Sequence, residues 1–186
     1  MKALLSIVLL FAFGAYVYSE YTPSPEEFAE WKEAAANGDP AAQFNLGVAY
    51  YHAKGVPVDY TEAAMWFKNA AEKGDAGAQH GLAVMYADGQ GVPQDHKEAA
   101  KWYRKAAEQG YSDAQYNLGG AYLFGNGVKE DSSRAFAWLS ISADNGHEQA
   151  SQWKAILTVD MTKEQIAEAQ KLSREMIEAN PKLMDD

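Results

Sequence analysis

Apolar residues recur at helical spacing through most of this chain, in a register that keeps returning. Ala42, Leu46, Ala49 and Tyr50 share one helical face. A glycine-containing stretch, Lys54-Gly55-Val56, ends that pattern. A second face follows in Ala63, Trp66, Phe67 and Ala70, and Gly74 stops it. The pattern therefore predicts helix, loop, helix. The same order runs through Ala78–Gly110 and again through Ala114–Gly146. Laid over one another, the three stretches keep Ala42/Ala78/Ala114, Gln43/Gln79/Gln115, Leu46/Leu82/Leu118 and Tyr50/Tyr86/Tyr122. They also keep Gly55/Gly91/Gly127, Val56/Val92/Val128, Asp59/Asp95/Asp131, Ala63/Ala99/Ala135, Trp66/Trp102/Trp138 and Gly74/Gly110/Gly146, always 36 residues apart. A fixed period of this size means a repeat architecture, in which each unit buries its apolar face only against its neighbours.

The pattern A-x-x-x-L-G-x-x-Y, then G-x-G-V, then D-x-x-x-A-x-x-W and a closing A-A-E-x-G resembles the Sel-1-like repeat family, a branch of the tetratricopeptide-like helical repeats. The resemblance covers roughly Pro40 to Gly146. The first copy departs at Ala53, where the later ones have Gly89 and Gly125. The second has Gly81 and Ala83 against Asn45 and Gly47, and the third closes on Ser140-Ile141-Ser142-Ala143-Asp144-Asn145-Gly146. The expected fold is all-α: an α-solenoid of antiparallel helix pairs with three full repeats over 39–146.

Helix starts are legible. Asp39-Pro40 caps the first helix of copy one, and Asp75 and Ser112 are placed to do the same in the next two. Asp59, Asp95 and Asp131 cap the second helices, with Glu62 and Glu98 three residues on, in position to reach back. Ahead of the repeats, Ser24, Pro25 and Glu27 form a capping box for a leading helix with Phe28, Trp31, Ala34 and Ala35 on its apolar face. It belongs to a segment, 20–38, expected to link and cover the first repeat. After Gly146 a fourth copy begins and fails, with Lys154 where leucine should be. Thr162 and Gln165 then open a last helix, with Met161 and Ile166 placed as a hydrophobic staple. Ile166, Ala169, Leu172, Met176 and Ile177 form its stripe, and Asn180-Pro181 ends it. Residues 147–186 thus read as a partial repeat plus a capping helix, with Lys182–Asp186 frayed.

Met1–Ser19 reads as a secretory leader. Lys2 is followed by an apolar run from Ala3 to Phe13 broken only by Ser6, and Val17-Tyr18-Ser19 suits cleavage after Ser19. Tyr16, Val17 and Tyr18 could lengthen the run towards the roughly 20 residues of a bilayer span, so a retained anchor is the alternative. The repeats are expected outside the cytoplasm, in a periplasm or secreted, with membrane contact only if the leader is retained.

Composition narrows the chemistry. With 26 acidic against 16 basic residues, the net charge is −10. That opposes nucleic-acid binding, which needs clustered Lys and Arg. There is no cysteine, hence no disulfide and no thiolate metal site. His52, His80, His96 and His147 show no metal-binding spacing and read as rim histidines. The Gly-Gln-Gly and Gly-Asn-Gly triplets lack the strand and the Gly-Lys-Ser/Thr ending of a phosphate loop. No G-x-S-x-G elbow and no facing carboxylate pair can be placed. No catalytic residue, metal or small-molecule cofactor is expected, and a hydrolase of cell-wall or drug-like substrates is the disfavoured reading.

What remains is a surface. The resemblance implies that first helices line a concave side. In this register their non-core positions are Phe44, Asn45, Val48, Tyr51 and His52; His80, Val84, Ala87 and Asp88; and Tyr116, Asn117, Gly120, Leu123 and Phe124. Exposed apolar and aromatic residues mark interaction sites, and asparagine can hydrogen-bond a peptide backbone. The resemblance further implies a scaffold or adaptor that holds an unidentified protein or peptide partner. An exported regulator of envelope signalling is the variant of that reading, and a monomer is expected.

Overall fold

Helix starts in this chain are set by side chains that receive otherwise unpaired amide N–H groups. The computed structural model describes residues 22–184, so the leader expected over 1–19 lies outside it. Ser24 accepts the Glu27 N–H and the Glu27 carboxylate accepts the Ser24 N–H, opening α1 (Pro25–Ala36) with a closed capping box. Asp39 accepts from Ala42 and Asp75 from Ala78, each at 2.7 Å, opening α2 (Pro40–His52) and α4 (Ala76–Asp88). The expected cap at Ser112 is displaced. Tyr111 is the N-cap of α6 (Ser112–Phe124) and makes no side-chain cap bond. The register set by Asp39 and Asp75 puts the cap at 111, where a phenol oxygen stands too far from the first turn to reach back. The register returns at His147, whose Nδ1 accepts from Ala150 N–H at 3.2 Å and opens α8 (Glu148–Val159). Asp59, Asp95 and Asp131 cap the second helices α3 (Tyr60–Glu72), α5 (His96–Ala107) and α7 (Ser132–Asp144).

The loops between paired helices are tied at both ends. Each first helix closes on a left-handed residue: Ala53 at φ 58°, Gly89 and Gly125 at φ 70°. The amide of each second-helix cap then donates back to the repeat tyrosine: Asp59 to Tyr50 O, Asp95 to Tyr86 O and Asp131 to Tyr122 O, at 2.8–3.0 Å. Gly91 and Gly127 are required for a different reason. A Cβ at either would collide with the backbone carbonyl of Tyr60 or His96, the first helical residue of the preceding second helix. These loops therefore lie directly on the neighbouring repeat.

Packing is strictly local. α2 pairs with α3, α4 with α5 and α6 with α7, and each second helix packs on the next first helix. Leu46, Leu82 and Leu118 are fully enclosed, among alanines that let the helices approach. The first helices α2 and α4 also touch each other. The invariant glutamine stitches repeats together. Gln43 Nε2 donates to Ala35 O, Gln79 Nε2 to Ala71 O and Gln115 Nε2 to Ala107 O, at 3.0–3.2 Å. These carbonyls belong to the last turn of the preceding helix, and each also accepts the N–H of Gly38, Gly74 or Gly110 at 3.0–3.1 Å.

The C-terminal end departs from the repeat. α9 (Lys163–Ala179), opened by the reciprocal Thr162/Gln165 box, lies against α7 instead of pairing with α8. It delivers a 3₁₀ turn, Pro181–Leu183, onto the third repeat. Lys182–Met184 is docked there, contrary to the expectation of fraying. Leu183 is 2% exposed, and its carbonyl accepts from both Gln115 Nε2 and Asn145 Nδ2 at 2.7 Å. Asn180 Nδ2 donates to Glu108 O at 2.8 Å. A buried leucine and satisfied helix-end groups hold this tail in place.

Two stability outcomes follow. Ala53→Gly removes a left-handed alanine and should raise unfolding free energy by about 0.5–1 kcal/mol, allowing for the entropy of glycine. Leu183→Ala should lower it by roughly 2–4 kcal/mol. Urea titration followed by circular dichroism reads both.

Candidate binding surface

The aromatic residues of the first helices are held in place by the second helices behind them and by the next repeat. Phe44 lies 5.9 Å from Phe67 of α3, and its ring runs beside Gly77, where the missing Cβ leaves room. Tyr51 donates its hydroxyl to Gln90 Oε1 at 2.8 Å, in the loop of the next repeat. Its ring stands edge-on to Tyr60 at 5.4 Å and to His52 at 4.8 Å. Burial first, and then the nearby Asp88 carboxylate, push the Tyr51 phenol up to about 12. It is a neutral donor at any physiological pH. Val48 packs half-buried on the same apolar set, with Asn45 half-buried beside it. His52 and Asp88 are exposed at the helix ends.

In the second and third repeats several expected surface residues turn inward. His80 is 2% exposed, Val84 5% and Tyr116 6%. His80 lies between Tyr103, 5.8 Å away, and Tyr111, 5.0 Å away. Asn117 Nδ2 stands 3.0 Å from His80 Nε2, a geometry that the neutral Nδ1–H tautomer satisfies. Burial holds the His80 pKa down to about 3, with the neighbouring His147 adding to the effect. His80 is thus a core histidine, not a rim one. Tyr116 stacks on the His147 ring at 4.4 Å and 17°. The His147 side chain is only 8% exposed, with Nε2 3.4 Å from Asp113 Oδ1. The physical reason is common to all of these. Each sits where the following repeat is laid over the first helix, so the residue reads as surface in one repeat and as interface in the stack.

The accessible remainder is Asn45, Val48, Tyr51, His52 and the edge of Phe44 in repeat one, Ala87 and Asp88 in repeat two, and Asn117, Gly120, Leu123 and Phe124 in repeat three. Phe124 is braced edge-on by Trp153 at 6.1 Å. Tyr60, Gln90 and Trp153 were not singled out by sequence reasoning. Their spacing carries no motif, and only the stacking of repeats brings them to these rings. Among the described residues no three His, Asp or Glu side chains gather as a metal site, and no helix is long and apolar enough to cross a membrane. The surface can offer aromatic faces, amide groups and few charges, which suits a polypeptide.

The stacked pairs and glycine-tied loops define a helical-repeat solenoid. The Sel1 repeat profile matches residues 40–75, 76–111 and 112–147, and the chain belongs to the Sel1 repeat family. A crystal structure of a protective antigen present in uropathogenic Escherichia coli strains, displaying an SLR fold, is similar at 34% identity and a TM-score of 0.79. The match covers 91% of this chain and 37% of that one. A Sel1 repeat protein from Oxalobacter formigenes is similar at 35% identity and a TM-score of 0.66, over 70% of this chain and 54% of that one. The chain thus spans only about a third to a half of these relatives. No curated protein matches it. Sel1 repeat proteins are generally protein–protein interaction scaffolds, and the fold is typically non-enzymatic.

The buried His80 gives stability a pH dependence of definite sign. The unfolded chain takes up a proton below the usual histidine value of 6.5, while folded His80 stays neutral down to about 3. The unfolded state therefore binds more protons, and stability falls as pH drops through that window. His147, lowered mainly by burial, works in the same direction. Between pH 7 and pH 5 the His80 contribution should fall by about 2 kcal/mol. Denaturant titrations at the two pH values, on the native chain and on His80→Gln, check it: the variant should show a clearly smaller loss.

Proposed function

We propose that the protein is an exported scaffold that holds a protein or peptide partner against the inner side of its solenoid. The observation that carries this reading is the run of half-exposed aromatic and amide side chains along α2 and α6: Phe44, Asn45, Val48, Tyr51, Asn117, Leu123 and Phe124. The rings are pre-positioned, Tyr51 by Gln90 and Phe124 by Trp153. Little side-chain freedom is then left to lose on binding. Fixed aromatic surface with few rotors is what dominates binding energy at protein interfaces. His80, Val84 and Tyr116 support that surface from beneath and offer it little area. Export rests on the apolar leader in residues 1–19, and a periplasmic or secreted location follows from it. The family's general role as scaffold supports binding over catalysis.

The test is crosslinking capture of the full-length exported protein from its native cells, against a strain carrying Leu123→Glu and Asp88→Lys. Asp88 is exposed and Leu123 half-buried against the core, so circular dichroism must first show that the pair keeps the native helical content. A partner captured by the native chain and weakened at least tenfold by the pair supports the inner surface. A partner retained in full moves the site elsewhere on the solenoid.

A further inference from the structure

The three repeat glutamines lie in the same register but end in three different states. In repeat two, Gln79 Oε1 accepts from Gln109 Nε2 at 2.8 Å. In repeat three, Gln115 Oε1 accepts from Asn145 Nδ2 at 2.9 Å, and the tail adds the Leu183 carbonyl on both amides. Gln109 and Asn145 each stand 30 residues after their glutamine. The residue 30 after Gln43 is Lys73, and its ammonium turns away to the Gly38 carbonyl. Gln43 Oε1 is left buried with no hydrogen-bond partner, on a side chain 5% exposed. A buried unpaired amide oxygen is costly, and natural chains rarely keep one.

Gln43 lines an open groove of about 490 Å³ with Ala36, Gly38, Trp66, Asn69 and Lys73. The corresponding surface of repeat three is the one the tail covers. Stepping back 72 residues carries Glu108, Gly110, Gln115, Trp138 and Asn145 onto Ala36, Gly38, Gln43, Trp66 and Lys73. On repeat three the Lys182 carbonyl runs so close to Gly110 that a Cβ there would meet it at 2.7 Å. Trp138 is buried there, whereas Trp66 is half-buried. The tail thus shows what fits such a groove: a short turn of polypeptide entering after a proline, with one leucine buried and its carbonyl turned to the glutamine amide.

We propose that the Gln43 groove is a second docking site, for a short leucine-bearing segment of a partner protein that binds in the manner of this chain's own tail. The segment's backbone C=O accepts from Gln43 Nε2, as the Leu183 carbonyl does from Gln115 Nε2. The chain's own tail is committed to repeat three by Leu183 and Asn180, so it does not fill this groove. The site lies between the second helices α1 and α3, away from the inner surface, and stands or falls independently of it.

The probe is a fluorescein-labelled peptide of the tail sequence, Ala179–Asp186, with photo-leucine in place of Leu183, added to the full-length chain. The native chain should bind it saturably below millimolar concentration, with crosslinks on Trp66–Lys73. Asn69→Arg fills the groove from a half-exposed position and should weaken binding at least tenfold, with an unchanged melting curve. Lys73→Asn recreates the amide pair of repeat three and should tighten binding severalfold. Overturning results are equally definite. One is absence of saturable binding up to several millimolar. Another is crosslinks confined to Gln115 and Asn145, which would mean exchange with the resident tail. A third is concentration-dependent self-association abolished by Asn69→Arg, which would assign the groove to a second copy.

Discussion

The solenoid depends on a single buried side-chain amide per repeat. Alanine-rich helices can approach one another closely, but apolar contact alone does not fix how far one repeat is rotated or shifted against the next. The donor of Gln43, Gln79 and Gln115 does so, because it must meet one carbonyl in the last turn of the preceding helix. Each of those carbonyls also accepts the N–H of the glycine that ends its helix, Gly38, Gly74 or Gly110, so the glutamine adds a second, inter-repeat bond that sets the step between repeats. The loops act at the opposite end. Gly91 and Gly127 press on the first turn of the preceding second helix, and a side chain there would lever the repeats apart. A polar stitch at one end and a steric stop at the other define the step, and apolar packing fills what lies between.

Much of this was legible because a repeat carries its own alignment. The helices, the capping aspartates, the glycine loops and the leading helix with its Ser24/Glu27 box follow from spacing and cap chemistry, and the Sel-1-like assignment rests on the same residues. The glutamine was visible as an invariant position but not as a stitch, since its partners lie eight residues back and thirty ahead on different helices. Ser112 misled because a serine next to the expected cap is chemically suitable, whereas the 36-residue register selects Tyr111. The end of the chain misled for a related reason. Polar and charged residues around Leu183 read as fray, but the carbonyl of that leucine reaches Gln115, 68 residues away in sequence.

The surface was half legible. Positions 44, 80 and 116 share one register, yet Phe44 keeps an accessible edge while His80 and Tyr116 are buried. The difference lies in what the next repeat supplies. Repeat two brings glycine, Gly77, beside Phe44; Tyr111 covers His80; His147 covers Tyr116. Tyr111 and His147 are also the two positions where the aspartate cap has been lost. Cap chemistry has been exchanged for ring packing there, and His147 alone recovers the cap, through its Nδ1. A periodic reading cannot see this, because it treats each repeat as equivalent when the covering residue belongs to the following one.

Solenoids have two ends, and each end must satisfy groups that an interior repeat would satisfy. At the C-terminal end α9 folds back onto α7, and the tail supplies a leucine and a carbonyl where a further repeat would have packed. At the N-terminal end of the described residues α1 covers α2, and Gln43 finds its carbonyl acceptor at Ala35. Among the described residues the one buried side-chain polar atom left unpaired is Gln43 Oε1, and the cause is local: a lysine at 73 where the other repeats carry an amide. Lysine has donors enough to reach that oxygen, but the Gly38 carbonyl, at the end of its own helix turn, claims the ammonium instead. A helix-end carbonyl and a side-chain amide oxygen compete for one cation, and the buried one loses because a charge is held more cheaply at the solvent-exposed carbonyl than beside an enclosed amide. The unpaired oxygen is thus a consequence of which residue the first repeat carries at 73. It leaves the first repeat with an acceptor that the second answers with its own amide, as does the third, which adds its tail.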